Sequence, residues 1–311
     1  MNGSHYICRI VDCLKNQTFK DFETVIVIDE KSTDDSIAKT EEAISSLPNS
    51  KIIMQRDNGK LGQSRNIGLE NAQGDLVWFL DVDDIPNREF LNIMTKIQDE
   101  FGADVTVCNY TYSGSCILKW KNITYDKKDV DVMNSAEALR RRSIEKLPVQ
   151  TWCKLVRRSL LTENNIKFDK GLNEDIAFTH RILSAAKTVC YYRKSLYSYQ
   201  VNKDSVCTDP YNRDARGLSE IKIYTDLESD NDDDETKLRS TLVRIRSSGH
   251  MSFAGFLKYS RSAECRKMCA RNVKKFNPEI FWYLHSPRTY YFAEHLYFKL
   301  FFYRNGRKYT R

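Results

Sequence analysis

Two short apolar runs that each end in aspartate constrain the fold of this chain more than anything else in its sequence. Residues 22–28 (FETVIVI) are rich in β-branched side chains and close on Asp29; residues 76–80 (LVWFL) close on Asp81, Val82, Asp83 and Asp84. Runs this short and this apolar suit buried strands of a parallel sheet. Between them lie a turn at 32–35 with Ser32 or Thr33 as helix cap, a helix over 35–46, a strand over 51–55, a loop over 57–62, and a helix over 63–72 stopped by Gly74. Strand and helix alternating over short connections predict βαβ units, hence an α/β fold whose mostly parallel sheet is flanked by helices. An amphipathic helix comes first, with Tyr6, Ile7, Ile10, Val11 and Leu14 at helical spacing. Ligands of such sheets bind beyond the carboxyl ends of the strands, so Asp29, Asp81 and Asp83 are expected to point into one crevice.

Further along, 104–112 reads as a strand, 113–134 as loop or hairpin, and 135–146 as a basic helix capped by Ser135. Residues 152–165 read as a strand leading into a helix. Residues 173–187 form a helix that Asn173 can cap and whose positive end Glu174 and Asp175 complement. Residues 189–192 and 196–199 read as short strands. The character changes near residue 208, which divides a 1–207 domain from a mostly helical 208–311 region, with the acidic run 226–235 as a solvated loop.

Asp81 and Asp83, one residue apart at a strand end, can share one divalent ion. Hard carboxylate oxygens suit Mg²⁺ or Mn²⁺, which bind through few protein ligands and complete their shell with water and diphosphate oxygens. The plainer reading is a solvated turn leading to Pro86. At Asp29 a carboxylate can accept a hydrogen bond from a base or ribose; taken alone it reads better as a turn or capping residue. Arg65, in the helix-opening GQSRN, can hold phosphate or a base carbonyl by charge-assisted bonds, or simply lie on the surface. Glu174 and Asp175 either serve the helix dipole alone or supply a general base.

The order of these residues resembles the inverting glycosyltransferases of family 2, which have the Rossmann-like GT-A fold. LKNQTFKDFETVIVIDEKSTDDS, NGKLGQSRNIGLENAQGDLVWFLDVDD, TWCKLVRRSLL and GLNEDIAFTHRILSAAKTVCYYRKSLYSYQVNKDSV match that family's segments in order, over about residues 2–206. The resemblance implies that Asp29 binds the donor base, usually uracil, that Arg65 contacts the nucleotide and that Asp81 lies against the ribose. It also implies that Asp83 ligates the metal and that Asp175 is the catalytic base. An acceptor hydroxyl would lose its proton to Asp175 and displace the nucleotide with inversion. Trp152 and Lys154 match a feature on the acceptor side. Two departures stand out. Glu30 and Lys31 replace the family's Asp-Gly after Asp29, and glycine there permits positive φ or close approach. The strand that precedes the first helix in the family has no counterpart after Met1. Those departures support an alternative, a truncated, catalytically inactive GT-A scaffold or partner protein. A dinucleotide-dependent oxidoreductase is excluded, because no GxGxxG follows a predicted strand.

Formal net charge is +7, much of it near the C-terminus. Residues 288–311 interleave aromatics with Arg288, Lys299, Arg304, Arg307, Lys308 and Arg311. That pattern fits a helix lying on an anionic membrane surface, as a lipid-linked or cell-surface glycan acceptor would require, or a terminal helix packed on its own domain. No nucleic-acid module accompanies it. The nine cysteines include no CxxC pair and read as free thiols of a reducing cytoplasm. With no signal peptide and no apolar span, the expected location is cytoplasmic, peripheral to the inner membrane face.

Overall fold

The computed structural model describes residues 3–56, 61–113, 123–143 and 146–201, together with Ser219, Ile223 and Asp226. The chain divides into two compact units, Met1–Asn202 and Lys203–Arg311, and every continuous helix and strand described belongs to the first. Residues 57–60 of the expected loop, nearly all of the expected 208–311 helical region, most of the acidic run 226–235 and the basic aromatic segment 288–311 lie outside the described residues.

Helix α1 (Ser4–Lys15) buries Ile7, Ile10, Val11 and Leu14, the i, i+3, i+4, i+7 stripe of an amphipathic helix. Strand β1 (Thr24–Asp29), helix α2 (Ser36–Ile44) and strand β2 (Ser50–Gln55) follow as a parallel βαβ unit. The cap of α2 differs from expectation. Asp35 holds the N-cap position, and the carboxylate of Asp34, rather than Ser32 or Thr33, accepts from the Ser36 amide. Asp34 also accepts from the Ser4 amide at the start of α1. These bonds, the one from the Ser36 hydroxyl foremost, hold the Asp34 carboxyl well below its ordinary range.

Helix α3 (Leu61–Asn71) leads to β3, which differs from the expected strand over 76–80 by being hydrogen-bonded only at Leu76–Val77. Beyond it Trp78 donates its indole N–H to the Trp152 carbonyl at 2.7 Å and stacks on Phe90. After β4 (Ile85–Pro86), α4 (Phe90–Phe101) buries Phe90, Ile93, Met94 and Ile97. Each such side chain contributes roughly 2 kcal/mol of burial. Gly102, left-handed at φ 59°, ends it.

Strand β5 (Val105–Ser113), β6 (Val130–Met133), α5 (Ser135–Ser143), β7 (Lys154–Arg157), α6 (Arg158–Glu163), α7 (Glu174–Ala185) and β8 (Val189–Gln200) complete the unit. The expected cap Ser135 is the first residue of α5, and Asn134 accepts from the Glu137 amide in its place. The two strands expected over 189–199 are one, because β5 pairs with β8 along its whole length across a bulge at Cys108–Asn109.

The strands form two sheets. One is the parallel pair β1-β2; the other is six-stranded in the order β3-β7-β5-β8-β4, with β6 also on β8. β1-β2 and β5-β8 are parallel, while β3-β7, β5-β7, β4-β8 and β6-β8 are antiparallel, so the fold is mixed α/β. Among the described residues no strand joins β1 to β3, and Val25, Ile26 and Val27 of β1 are only half-buried.

Candidate active site

The first contribution to the site is a close approach. Gly62, near the start of α3, faces the segment before α7. A Cβ there would lie 2.7 Å from the Asp169 carbonyl and 3.2 Å from Cγ of Glu174. Four residues on, the amide of Asn66 donates to the Phe168 carbonyl at 2.9 Å, and its carbonyl accepts from the Phe168 N–H at 2.8 Å. Glycine and asparagine together dock α3 against the start of α7.

Arg65 is thereby pressed between the two acid motifs. It donates to Asp81 at 2.8 Å and to Glu174 at 2.6 Å, and its guanidinium lies over the Phe168 ring at 5.3 Å. Its side chain is 9% exposed. Burial opposes its charge, but Asp81 and Glu174 outweigh that and hold its pKa above the ordinary value. Arg65 therefore joins the end of the β3 segment to α7 by charge-assisted bonds within the protein.

Glu174 and Asp175 open α7. Asn173 holds the N-cap position with φ 59°, but its side chain does not cap the helix as the sequence predicts. Burial pushes the Glu174 carboxyl up, against the pull of Arg65. Burial also pushes Asp175 up, opposed by Arg65, Lys154 and Arg142. Lys154 is itself 1% exposed, donates to the Pro148 and Gln150 carbonyls, and is lowered by burial.

Asp83 sits half-buried two residues beyond Asp81, and its backbone carbonyl accepts from Arg9 of α1. Asp84 is fully buried. It accepts from the Tyr197 hydroxyl at 2.9 Å and the Gln200 amide at 2.8 Å. Burial first, then the charge of Asp81, pushes its carboxyl up to about 8. Among the described residues no three metal-ligating side chains converge. The hard carboxylate of Asp83, next to other acids in one loop, still fits a Mg²⁺ or Mn²⁺ held through few protein ligands with water and diphosphate oxygens.

The structure thus brings Arg65, Asp81, Glu174 and Asp175 together, with Asp83 adjacent. Asp29 ends β1 on the other sheet, where its carboxylate accepts from the Lys31 amide at 2.9 Å. The sequence reading assigned nothing to Asn66, Phe168, Asp84 or Arg9. Asn66 and Asp84 adjoin named residues, but their partners lie 102 and 113 positions away.

In this mixed α/β fold the acids of the loop between β3 and β4 thus face the acid pair that opens α7, with Arg65 between them. The chain belongs to glycosyl transferase family 2, whose model matches residues 1–164. It is 29% identical to the glycosyltransferase GlyA of Streptococcus pneumoniae over 212 residues, covering 66% of this chain and 30% of that protein. It is 27% identical to the poly(ribitol-phosphate) β-N-acetylglucosaminyltransferase TarS of Staphylococcus aureus over 206 residues, 65% of this chain and 34% of that protein. It therefore spans about a third of the length of these relatives. In fold it is similar to TarS residues 1–349 solved with UDP-GlcNAc, with TM-score 0.67 and 21% identity over 98% of this chain and 89% of that one. It is also similar to a mannosyltransferase from Pyrobaculum calidifontis solved with GDP-Man and Mn²⁺, with TM-score 0.58 and 14% identity over 95% and 81%. Among the described residues no helix is long and apolar enough to cross a membrane.

Proposed function

We propose that this protein transfers a sugar, with inversion, from a UDP-sugar to a hydroxyl of a cell-surface polysaccharide or lipid-linked glycan. The observation that carries this reading is the Arg65 bridge. One buried cation ties Asp81, on the donor side, to Glu174, the neighbour of Asp175. The donor and base halves of the site are thereby held in one cluster, as a single displacement requires.

Asp175 is the general base. Its carboxylate takes the proton of the acceptor hydroxyl as that oxygen attacks the anomeric carbon from the face opposite the nucleotide. Arg65, Lys154 and Arg142 offset part of the rise that burial imposes on the Asp175 carboxyl. Asp83 would hold Mg²⁺ or Mn²⁺, and such an ion would offset the negative charge of the departing nucleotide. Asp81 lies against the ribose, and Asp29 accepts from the base. Arg65 orients Asp81 and, through it, the nucleotide. The UDP-GlcNAc bound by TarS and the Mn²⁺ of the mannosyltransferase support the choice of donor and ion.

A second reading, a non-catalytic GT-A scaffold, is favoured by the half-buried apolar side chains of β1 and by the Lys31 amide on the Asp29 carboxylate. Calorimetric titration of UDP with and without Mn²⁺, beside Asp83→Ala, separates the two. Mn²⁺-dependent binding that the variant loses is expected. A folded chain that binds no UDP refutes the UDP-sugar reading and favours the scaffold.

A further inference from the structure

Tyrosines gather at the carboxyl ends of β5 and β8, beside the acid cluster. Parallel pairing sets Tyr110 opposite Tyr197 and Tyr112 opposite Tyr199, and residues two apart on a strand share a face. The Trp152 ring lies on that face, stacked on Tyr197 at 4.3 Å and parallel to Tyr199 at 5.7 Å. Tyr110 meets Trp152 edge-on at 4.8 Å. Tyr112 stands edge-on to Tyr110 at 5.3 Å and to Tyr199 at 5.8 Å, with its hydroxyl 3.1 Å from that of Tyr110. Trp152 is 5% exposed and Tyr112 is 68% exposed. A continuous aromatic surface therefore runs from the core to solvent, its rings set by one another.

Its position ties it to both acid groups. Tyr197 and Gln200, on the same strand as Tyr199, hold Asp84, the neighbour of Asp83. Two residues after Trp152 comes Lys154, whose charge acts on Asp175. Its exposed end is a single aromatic face, Tyr112, with Tyr110 and Tyr199 half-buried beside it. The chemistry of this one is specific: electron-rich faces attract electropositive C–H edges, and the tyrosine hydroxyls offer hydrogen bonds at the rim. A pyranose presents that combination, a face of C–H bonds bordered by hydroxyls. Trp152 lies two residues before Lys154, whose charge acts on Asp175, the proposed base for the acceptor hydroxyl, and this sets the surface on the acceptor side.

We propose that Tyr112, backed by Tyr110 and Tyr199, is a stacking platform for a pyranose ring of the acceptor glycan. The proposal rests on the glycosyl-transfer reading, so its test runs separately from donor binding. The probes are methyl glycosides of glucose, galactose, mannose and N-acetylglucosamine, presented to the full chain in saturation-transfer NMR. At least one sugar takes up saturation on one C–H face. Tyr112→Ala weakens that sugar about three- to tenfold, the worth of one aromatic contact, whereas Tyr112→Phe keeps it; UDP titration is the same in all three. Absence of saturation in every sugar, or saturation unchanged in Tyr112→Ala, overturns the platform. So does a concentration-dependent dimer that Tyr112→Ala dissolves, since the patch would then serve self-association. Sugar binding lost in Tyr112→Ala by a chain that takes up no UDP supports the platform and refutes the donor reading alone.

Discussion

Replacing Arg65 by methionine tests whether one buried cation holds the two halves of the site together. The arginine side chain is 9% exposed, and its partners Asp81 and Glu174 are 22% and 11% exposed. Methionine keeps an apolar stem against Phe168 and removes only the charge and its hydrogen bonds. Breaking a buried pair by deleting one partner costs about 3–5 kcal/mol, because the remaining charge stays uncompensated. Asp81 retains some solvent, so the lower end applies, about 3 kcal/mol. For a unit of this size that is a fall in melting midpoint of about 6–12 °C. The pH dependence gives a sharper check. Burial already raises Glu174 above its ordinary value while Arg65 pulls it down; without Arg65 it rises further. A carboxyl whose folded pKa is raised contributes stability below its unfolded pKa and loses it as pH climbs through the folded pKa. The gap between variant and wild type should therefore be small near pH 4 and widen above it. Urea unfolding followed by circular dichroism across that range measures it. A loss below about 1 kcal/mol, or one that does not change with pH, refutes the idea that Arg65 neutralises these acids.

Gly62→Ala brings a methyl group within 2.7 Å of the Asp169 backbone carbonyl. We expect a stability loss of about 1–3 kcal/mol by urea unfolding; a neutral change would mean that α3 and the start of α7 are not tightly docked. Asp175→Asn should leave UDP affinity unchanged while lowering transfer by roughly 10²–10⁴-fold, the usual worth of a general base. In the wild type, transfer should fall as pH drops through the raised Asp175 pKa, above the ordinary carboxylate range. A flat acid limb would remove Asp175 from that role.

Much of the fold was legible from spacing. The stripe Ile7, Ile10, Val11, Leu14 defines α1 by its periodicity alone, and FETVIVI and the segment after Pro48 announce the β1-β2 pair. Caps were less legible, because several side chains within two positions compete for the same amide. Asp34 took the place of Ser32 or Thr33, and Asn134 that of Ser135. Strand extent was not legible at all. LVWFL is apolar throughout, yet only Leu76 and Val77 find a partner in β7. Residues 189–199 looked interrupted, yet β5 pairs with both ends of β8 across a bulge. A strand exists only where another backbone offers its hydrogen bonds, and that partner is set by tertiary arrangement.

By itself the sequence determined the periodicities that make helices and strands, and the order in which Asp29, Arg65, Asp81, Asp83 and Asp175 follow one another. Those are properties of neighbours along the chain. Only the tertiary structure decided that Arg65 lies between Asp81 and Glu174, 109 positions away. It also decided that Asp29 ends up on a separate sheet, and that Trp152 stacks among tyrosines of two strands. A charge placed by packing acquires its partners, its burial and its proton affinity from residues that no local spacing connects to it.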